Sequence, residues 1–93
     1  MLRIHVFISG MVQGVSFRST TIKIAKSLGI KGWVRNLPDG RVEIIAEGKK
    51  DKIDVLIEFL KKGPPAAKVD NVDVKIEDYK GEFKDFNINK AYN

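Results

Sequence analysis

The 93-residue sequence contains no cysteine, which excludes disulfides, thiolate nucleophiles and cysteine-ligated zinc or iron–sulfur centres. It has a single histidine, His5, too little for an imidazole-built metal site or a Ser-His triad. Long hydrophobic runs are missing too. No apolar stretch approaches the roughly 20 residues that cross a bilayer. The opening Met1-Leu2-Arg3-Ile4-His5-Val6-Phe7-Ile8 sets a basic residue among apolar ones, but it alternates and has no small-residue cleavage site. It reads as a strand, and the cytoplasm is the default compartment. Repeats, linkers and low-complexity segments are also lacking, so the expectation is a single domain spanning 1–93, with a monomer as the default.

What is present is ordinary globular usage, 43% hydrophobic and 31% charged. Lys and Arg number 17 against 12 Asp and Glu, a net charge of +5 that suits an anionic ligand without choosing between a phosphate metabolite and a nucleic acid. Leu2, Ile4, Val6 and Ile8 alternate with Arg3, His5, Phe7 and Ser9, the period of a half-buried strand. Two glycines break that pattern in Gly10-Met11-Val12-Gln13-Gly14. From there Phe17, Thr21, Ile24, Ala25 and Leu28 form a helical stripe, with Ser16 as a candidate N-cap and Gly29 as the stop.

A second strand is expected from Ile30 to Asn36 and a third from Arg41 to Glu47, joined as a hairpin through Leu37-Pro38-Asp39-Gly40. Ile53, Leu56, Ile57 and Leu60 mark a second helix, which Gly63-Pro64-Pro65 ends. Val72, Val74 and Ile76 alternate as a fourth strand. Phe86 and Ile88 suggest a short fifth, with Ala91-Tyr92-Asn93 trailing from it. Strand, helix, strand, strand, helix, strand is the order of the split βαβ fold. The fold class is therefore α+β, ferredoxin-like: an antiparallel sheet with two helices packed on one face and the other face open to solvent. On that open face Glu43 and Glu47 are expected to be solvated, Trp33 to act as an amphipathic cover, and His5 to be structural or surface.

The loop from Gly10 to Arg18 joins a strand end to a helix start, where unpaired backbone N–H groups and the helix dipole can cradle an anion. Arg18 could add a bidentate fork to phosphate oxygens, although a solvated helix-start arginine has the same local appearance. The loop lacks the Gly-Lys-Ser/Thr of a P-loop and the G-x-G-x-x-G of a dinucleotide site, which disfavours a nucleotide. Asn36 by itself reads as a strand-end or turn residue. Gln13 is ambiguous between loop scaffolding and ligand contact.

Taken together, two segments resemble the acylphosphatase family. The pattern G-x-V-Q-G-V-x-F-R is met from Gly10 through Arg18, and G-[FYW]-[AV]-x-N-x-x-x-G-x-V-x-x-x-x-x-G from Gly32 through Gly48. The resemblance implies hydrolysis of acyl phosphates to a carboxylate and inorganic phosphate, with no cofactor and no metal. It implies that Arg18 binds the phosphate, that Asn36 holds the attacking water, and that the backbone amides of Gln13, Gly14, Val15, Ser16, Phe17 and Arg18 cradle the phosphoryl oxygens. The implied partners are a small acyl phosphate and inorganic phosphate as product and inhibitor, with neither nucleic acid nor membrane. Two alternatives remain at this point. An open-faced basic domain of this fold could bind RNA, although strand three carries Glu43, Ile45 and Glu47 where stacking aromatics would be needed. An acylphosphatase-like module could also serve protein contacts or carbamoyl handling within a larger enzyme.

Overall fold

In a computed structural model residues 1–90 are described, and the expected trailing segment Ala91-Tyr92-Asn93 lies outside them. The alternation at the N-terminus forms β1 (Leu2–Met11), whose Ile4, Val6 and Ile8 are fully buried on one face. The helical stripe forms α1 (Phe17–Ser27), burying Phe17, Thr21 and Ala25. β2 (Lys31–Asn36) and β3 (Val42–Gly48) make the expected hairpin. In its turn the Leu37 N–H donates to the Arg41 carbonyl at 2.8 Å and the Gly40 N–H to the Leu37 carbonyl at 3.1 Å. α2 (Lys50–Lys62) buries Ile53, Leu56 and Leu60 and stops at Gly63. β4 (Lys68–Glu77) and β5 (Phe86–Ile88) complete the chain.

The sheet order is β4-β1-β3-β2-β5. One layer of core lies between its inner face and the two helices: Val6 pairs with Ile44 of β3 and Val74 of β4, and Ile44 pairs in turn with Val34. Burial of each such aliphatic side chain contributes about 1.5–3 kcal/mol. Gly32 lets β2 approach β3 closely, because a Cβ there would collide with the Ile45 carbonyl, and its φ of 147° lies where side chains rarely go. The β4–β1, β1–β3 and β3–β2 pairings are antiparallel, as expected. β5 instead pairs in parallel with β2. β4 ends at the end of the sheet where β2 begins, since Glu77 pairs with Arg3, Arg3 with Glu47, and Glu47 with Lys31. A chain crossing from there to the far edge must run in the direction of β2.

That crossing corrects one expectation. The outer face is not bare, and Glu43 and Glu47 are buried, at 6% and 3% exposure, beside a buried Ile45 and a buried Arg3. Segment 78–85 runs against Glu47 and Arg3. The Lys80 and Gly81 N–H groups donate to the Glu47 Oε2 at 2.9 and 3.3 Å, Arg3 pairs with Glu47, Glu77 and Glu82, and the Arg3 guanidinium lies over Phe83. His5 bridges Glu43 at 2.6 Å and Glu77 at 3.2 Å, and Arg35 pairs with Glu43 at 2.6 Å. Trp33 is the half-buried cover expected of it, but Arg35 stacks over its ring and Arg41 over that of Phe7. The rings that an RNA-binding sheet would offer to bases are thus already covered.

This layer gives a pH dependence. Burial pushes the Glu47 carboxyl up, but the Lys80 N–H, the Arg3 guanidinium and the Gly81 N–H together hold it below its ordinary value of 4.5. Glu77 is held below the same value chiefly by its hydrogen bond from Arg3. Groups depressed in the folded state stabilise it fully above their unfolded value, and this contribution disappears as the pH falls through their folded value. From these two carboxyl groups the denaturant midpoint of the protein should fall as the pH drops below about 4.5. In Glu47→Gln that acid limb should be shallower, because one group that takes up its proton on unfolding is gone. An unchanged limb would show that Glu47 does not contribute.

Candidate active site

β1, β2 and β5 all end on the side of the sheet opposite the Arg3 network, and α1 starts there. Ile8 of β1 pairs with Val42, which pairs with Asn36, the last residue of β2. Residues 12–16 carry the chain from β1 into α1. Buried Val12 and buried Phe17 anchor the two ends of this loop, the Phe17 ring resting 6.0 Å from that of Phe59. Val15 packs against the core.

Two left-handed residues shape the loop: Gly14 at φ 73° and Ser16 at φ 62°. A Cβ added at Gly14 would meet nothing within 4 Å, so the space above the loop is open. Ser16 does occupy the N-cap position of α1, but its hydroxyl makes no capping bond. Serine caps from extended backbone, and a left-handed serine is both strained and turned away from that role. Its carbonyl is used instead, accepting from the Thr20 N–H at 3.1 Å and the Ser19 Oγ at 3.2 Å. Among the described residues no acceptor takes the N–H groups of Gln13, Gly14, Val15, Ser16 or Phe17. The first turn of α1 holds no acidic residue. A helix N-terminus with uncapped donors and no competing carboxylate is electrostatically disposed toward an anion.

A cavity of about 160 Å³ opens at this junction, lined by Val12, Gly14, Ser16, Phe17, Arg18, Ser19, Asn36 and Ile88. Arg18 is its one charged lining residue among those described. Among the described residues no carboxylate or imidazole lines it, and these residues offer neither a hard-metal ligand set nor a general acid. Asn36 enters from the end of β2. Its Oδ1 is buried without a hydrogen-bond partner among the described residues. A buried acceptor left unpaired costs about 1–3 kcal/mol, and such atoms are rare in native folds.

The structure thus brings Gly14, Ser16, Phe17, Arg18 and Asn36 into one cavity. Gln13 and Val15 do not line it, although their N–H groups belong to the same unpaired run. The Gln13 side chain turns to the hairpin, its Nε2 donating to the Leu37 carbonyl at 2.8 Å and the Arg41 carbonyl at 2.9 Å. That resolves its ambiguity in favour of scaffolding. Sequence reasoning missed Val12, Ser19 and Ile88 as lining residues. Ser19 follows Arg18 in the first turn of α1, a signal that was available. Ile88 reaches the site only because β5 pairs with Val34 of β2, which nothing local indicates.

An α+β sandwich whose strand–helix loop presents free amides and an arginine around a small cavity is the class of protein these features define. The chain belongs to the acylphosphatase family, whose model matches residues 4–88. A curated acylphosphatase from Syntrophobacter fumaroxidans is 54% identical over 86 residues, covering 92% of this chain and 89% of the relative. One from Acaryochloris marina is 59% identical over 81 residues, covering 87% and 86%. The crystal structure of acylphosphatase from Bacillus subtilis superposes with a TM-score of 0.91 at 36% identity, covering 95% of this chain and 98% of that one. Among the described residues no helix is long and apolar enough to cross a membrane.

Proposed function

We propose that this cavity is where the protein hydrolyses acyl phosphates, with Arg18 and the loop amides holding the phosphoryl group and Asn36 positioning the attacking water. The observation that carries the reading is the Asn36 Oδ1, buried and unpartnered on a residue that lines the same small cavity as Arg18. Water adds to phosphorus through its oxygen while the bond from phosphorus to the acyl oxygen breaks. The bonding pair leaves with the carboxylate, and the proton of the water ends on phosphate or in solvent. A carboxylate whose acid has a pKa of about 4 departs without a proton, so no general acid is needed. A loose phosphoryl transition state demands chiefly positioning and positive charge around its equatorial oxygens. The Arg18 guanidinium and the amides from Gln13 to Arg18 supply that charge, and the Asn36 carbonyl oxygen accepts a hydrogen bond from the water.

Inorganic phosphate is then both product and competitive inhibitor, the enzyme acts as a cytoplasmic monomer, and neither cofactor nor metal enters the reaction. The test is phosphate release from acetyl phosphate and benzoyl phosphate in metal-stripped buffer with excess EDTA. Turnover should equal that in untreated buffer. No release from either compound, or a strong loss on chelation that divalent cations restore, would overturn the reading.

A further inference from the structure

Cradle and water-holder stand on different elements: the loop precedes α1, whereas Asn36 closes β2. We infer that the Gln13 side chain is the positioning residue that fixes one against the other, an inference that rests on the reading of Arg18 and Asn36 just given. Gln13 is the residue before Gly14 of the loop, and Leu37 is the residue after Asn36. Both hydrogens of one Gln13 amide are spent across this gap, on the carbonyls of Leu37 and Arg41.

Those two carbonyls are the ones that close the hairpin turn. The Arg41 carbonyl also accepts from the Leu37 N–H, and the Leu37 carbonyl from the Gly40 N–H, so Gln13 doubles the acceptance at both. Each oxygen has two lone pairs and each is used twice. The amide is therefore locked into the turn rather than resting on it. Two bonds from one planar group also fix orientation, which a single bond to a flexible turn would not. The remaining loop contacts lead elsewhere: Val15 into the core, Phe17 onto Phe59, and the Ser16 carbonyl into α1. Gln13 thus makes two side-chain hydrogen bonds from the loop to the hairpin.

Phosphate binding needs the loop and Arg18 alone, whereas in-line attack needs the loop and Asn36 in register. Displacement of reacting groups by about 1 Å costs on the order of 10²-fold in rate. Gln13→Met keeps the length of the side chain and removes both donors. Its kcat for benzoyl phosphate should fall about 10- to 100-fold, while the inhibition constant of inorganic phosphate changes by less than about 3-fold, the two being read on the same preparation below its melting range. In the Asn36→Ala background the same substitution should have almost no further effect on kcat, because the residue it acts through is gone. Should the Met variant fail to fold, Gln13→Asn, which keeps the amide one methylene short, reads the same split. Unchanged kcat with lowered stability would make the Gln13 side chain merely structural, and a phosphate constant that weakens as much as kcat would make that side chain a support of the cradle itself and overturn the inference. Full additivity with Asn36→Ala would likewise overturn the inference. Wild-type protein inactive on every acyl phosphate is a different failure, that of the functional reading, and the inference falls with it.

Discussion

Arg18→Ala should lower kcat/KM for acyl phosphates by about 10³–10⁵, the range an arginine contributes to a phosphoryl transition state. The cavity makes this a large effect rather than a modest one. Among the described residues its lining carries one charged side chain and no second cation to replace it. Arg18 is the second residue of α1, so its guanidinium and the uncapped amides of the same turn act on one side of the ligand. Phosphate is bound in the ground state by the same groups, so competitive inhibition by inorganic phosphate should be lost together with turnover. Arg18→Lys separates charge from geometry. It restores a cation but not the planar fork, and activity should recover only in part. Steady-state kinetics with phosphate competition on the three proteins checks this, and a loss within tenfold in Arg18→Ala would remove the arginine from the centre of the mechanism.

Much of this molecule can be read from its sequence because the relevant signals are local. The helical stripe from Phe17 to Leu28, the alternation in β1 and the Pro38-Asp39-Gly40 turn each need only neighbouring residues to be interpreted, and each forms the element expected of it. The outer face could not be read that way. Glu43 and Glu47 alternate with Ile45 as solvent-facing carboxylates would, and what buries them comes from afar: the Arg3 partner of Glu47 is 44 positions away and the Lys80 amide 33. Ile88 joins the cavity for a similar reason, through a parallel pairing that depends on where β4 ends. The left-handed Ser16 is a third case. A serine before a helix is expected to cap it, and here the backbone adopts a conformation that withdraws the cap and leaves the N–H groups of residues 13–17 without an acceptor among the described residues. At each of these positions tertiary context overrode a sound local rule. In the loop the override falls where an anion would bind, which is where such violations are expected. Arg18 and Asn36 were singled out by family resemblance, since as isolated residues they resemble any helix-start arginine and any strand-end asparagine.

Asn36→Ala should separate function from stability. Turnover should fall on the order of 10²-fold or more, because the water loses the acceptor that aims it at phosphorus. The inhibition constant of inorganic phosphate should stay nearly unchanged, since the cradle and Arg18 are intact. The fold should lose nothing. The Oδ1 is buried without a partner among the described residues, and removing an unsatisfied acceptor relieves a cost of about 1–3 kcal/mol against a small loss of packing. The denaturant midpoint of the variant should therefore equal or exceed that of the wild type, the trade expected where a site holds a group the fold itself does not need. Asn36→Asp is the contrasting substitution. It keeps an acceptor in place but sets a carboxylate beside a dianion, so phosphate inhibition should weaken, as it does not in the alanine variant. If Asn36→Ala lost phosphate affinity as severely as Arg18→Ala, Asn36 would be part of the anion grip and not the holder of water. If the variant were instead markedly destabilised with unchanged kcat, the unpaired oxygen would have to be explained by the packing at the end of β2 rather than by catalysis.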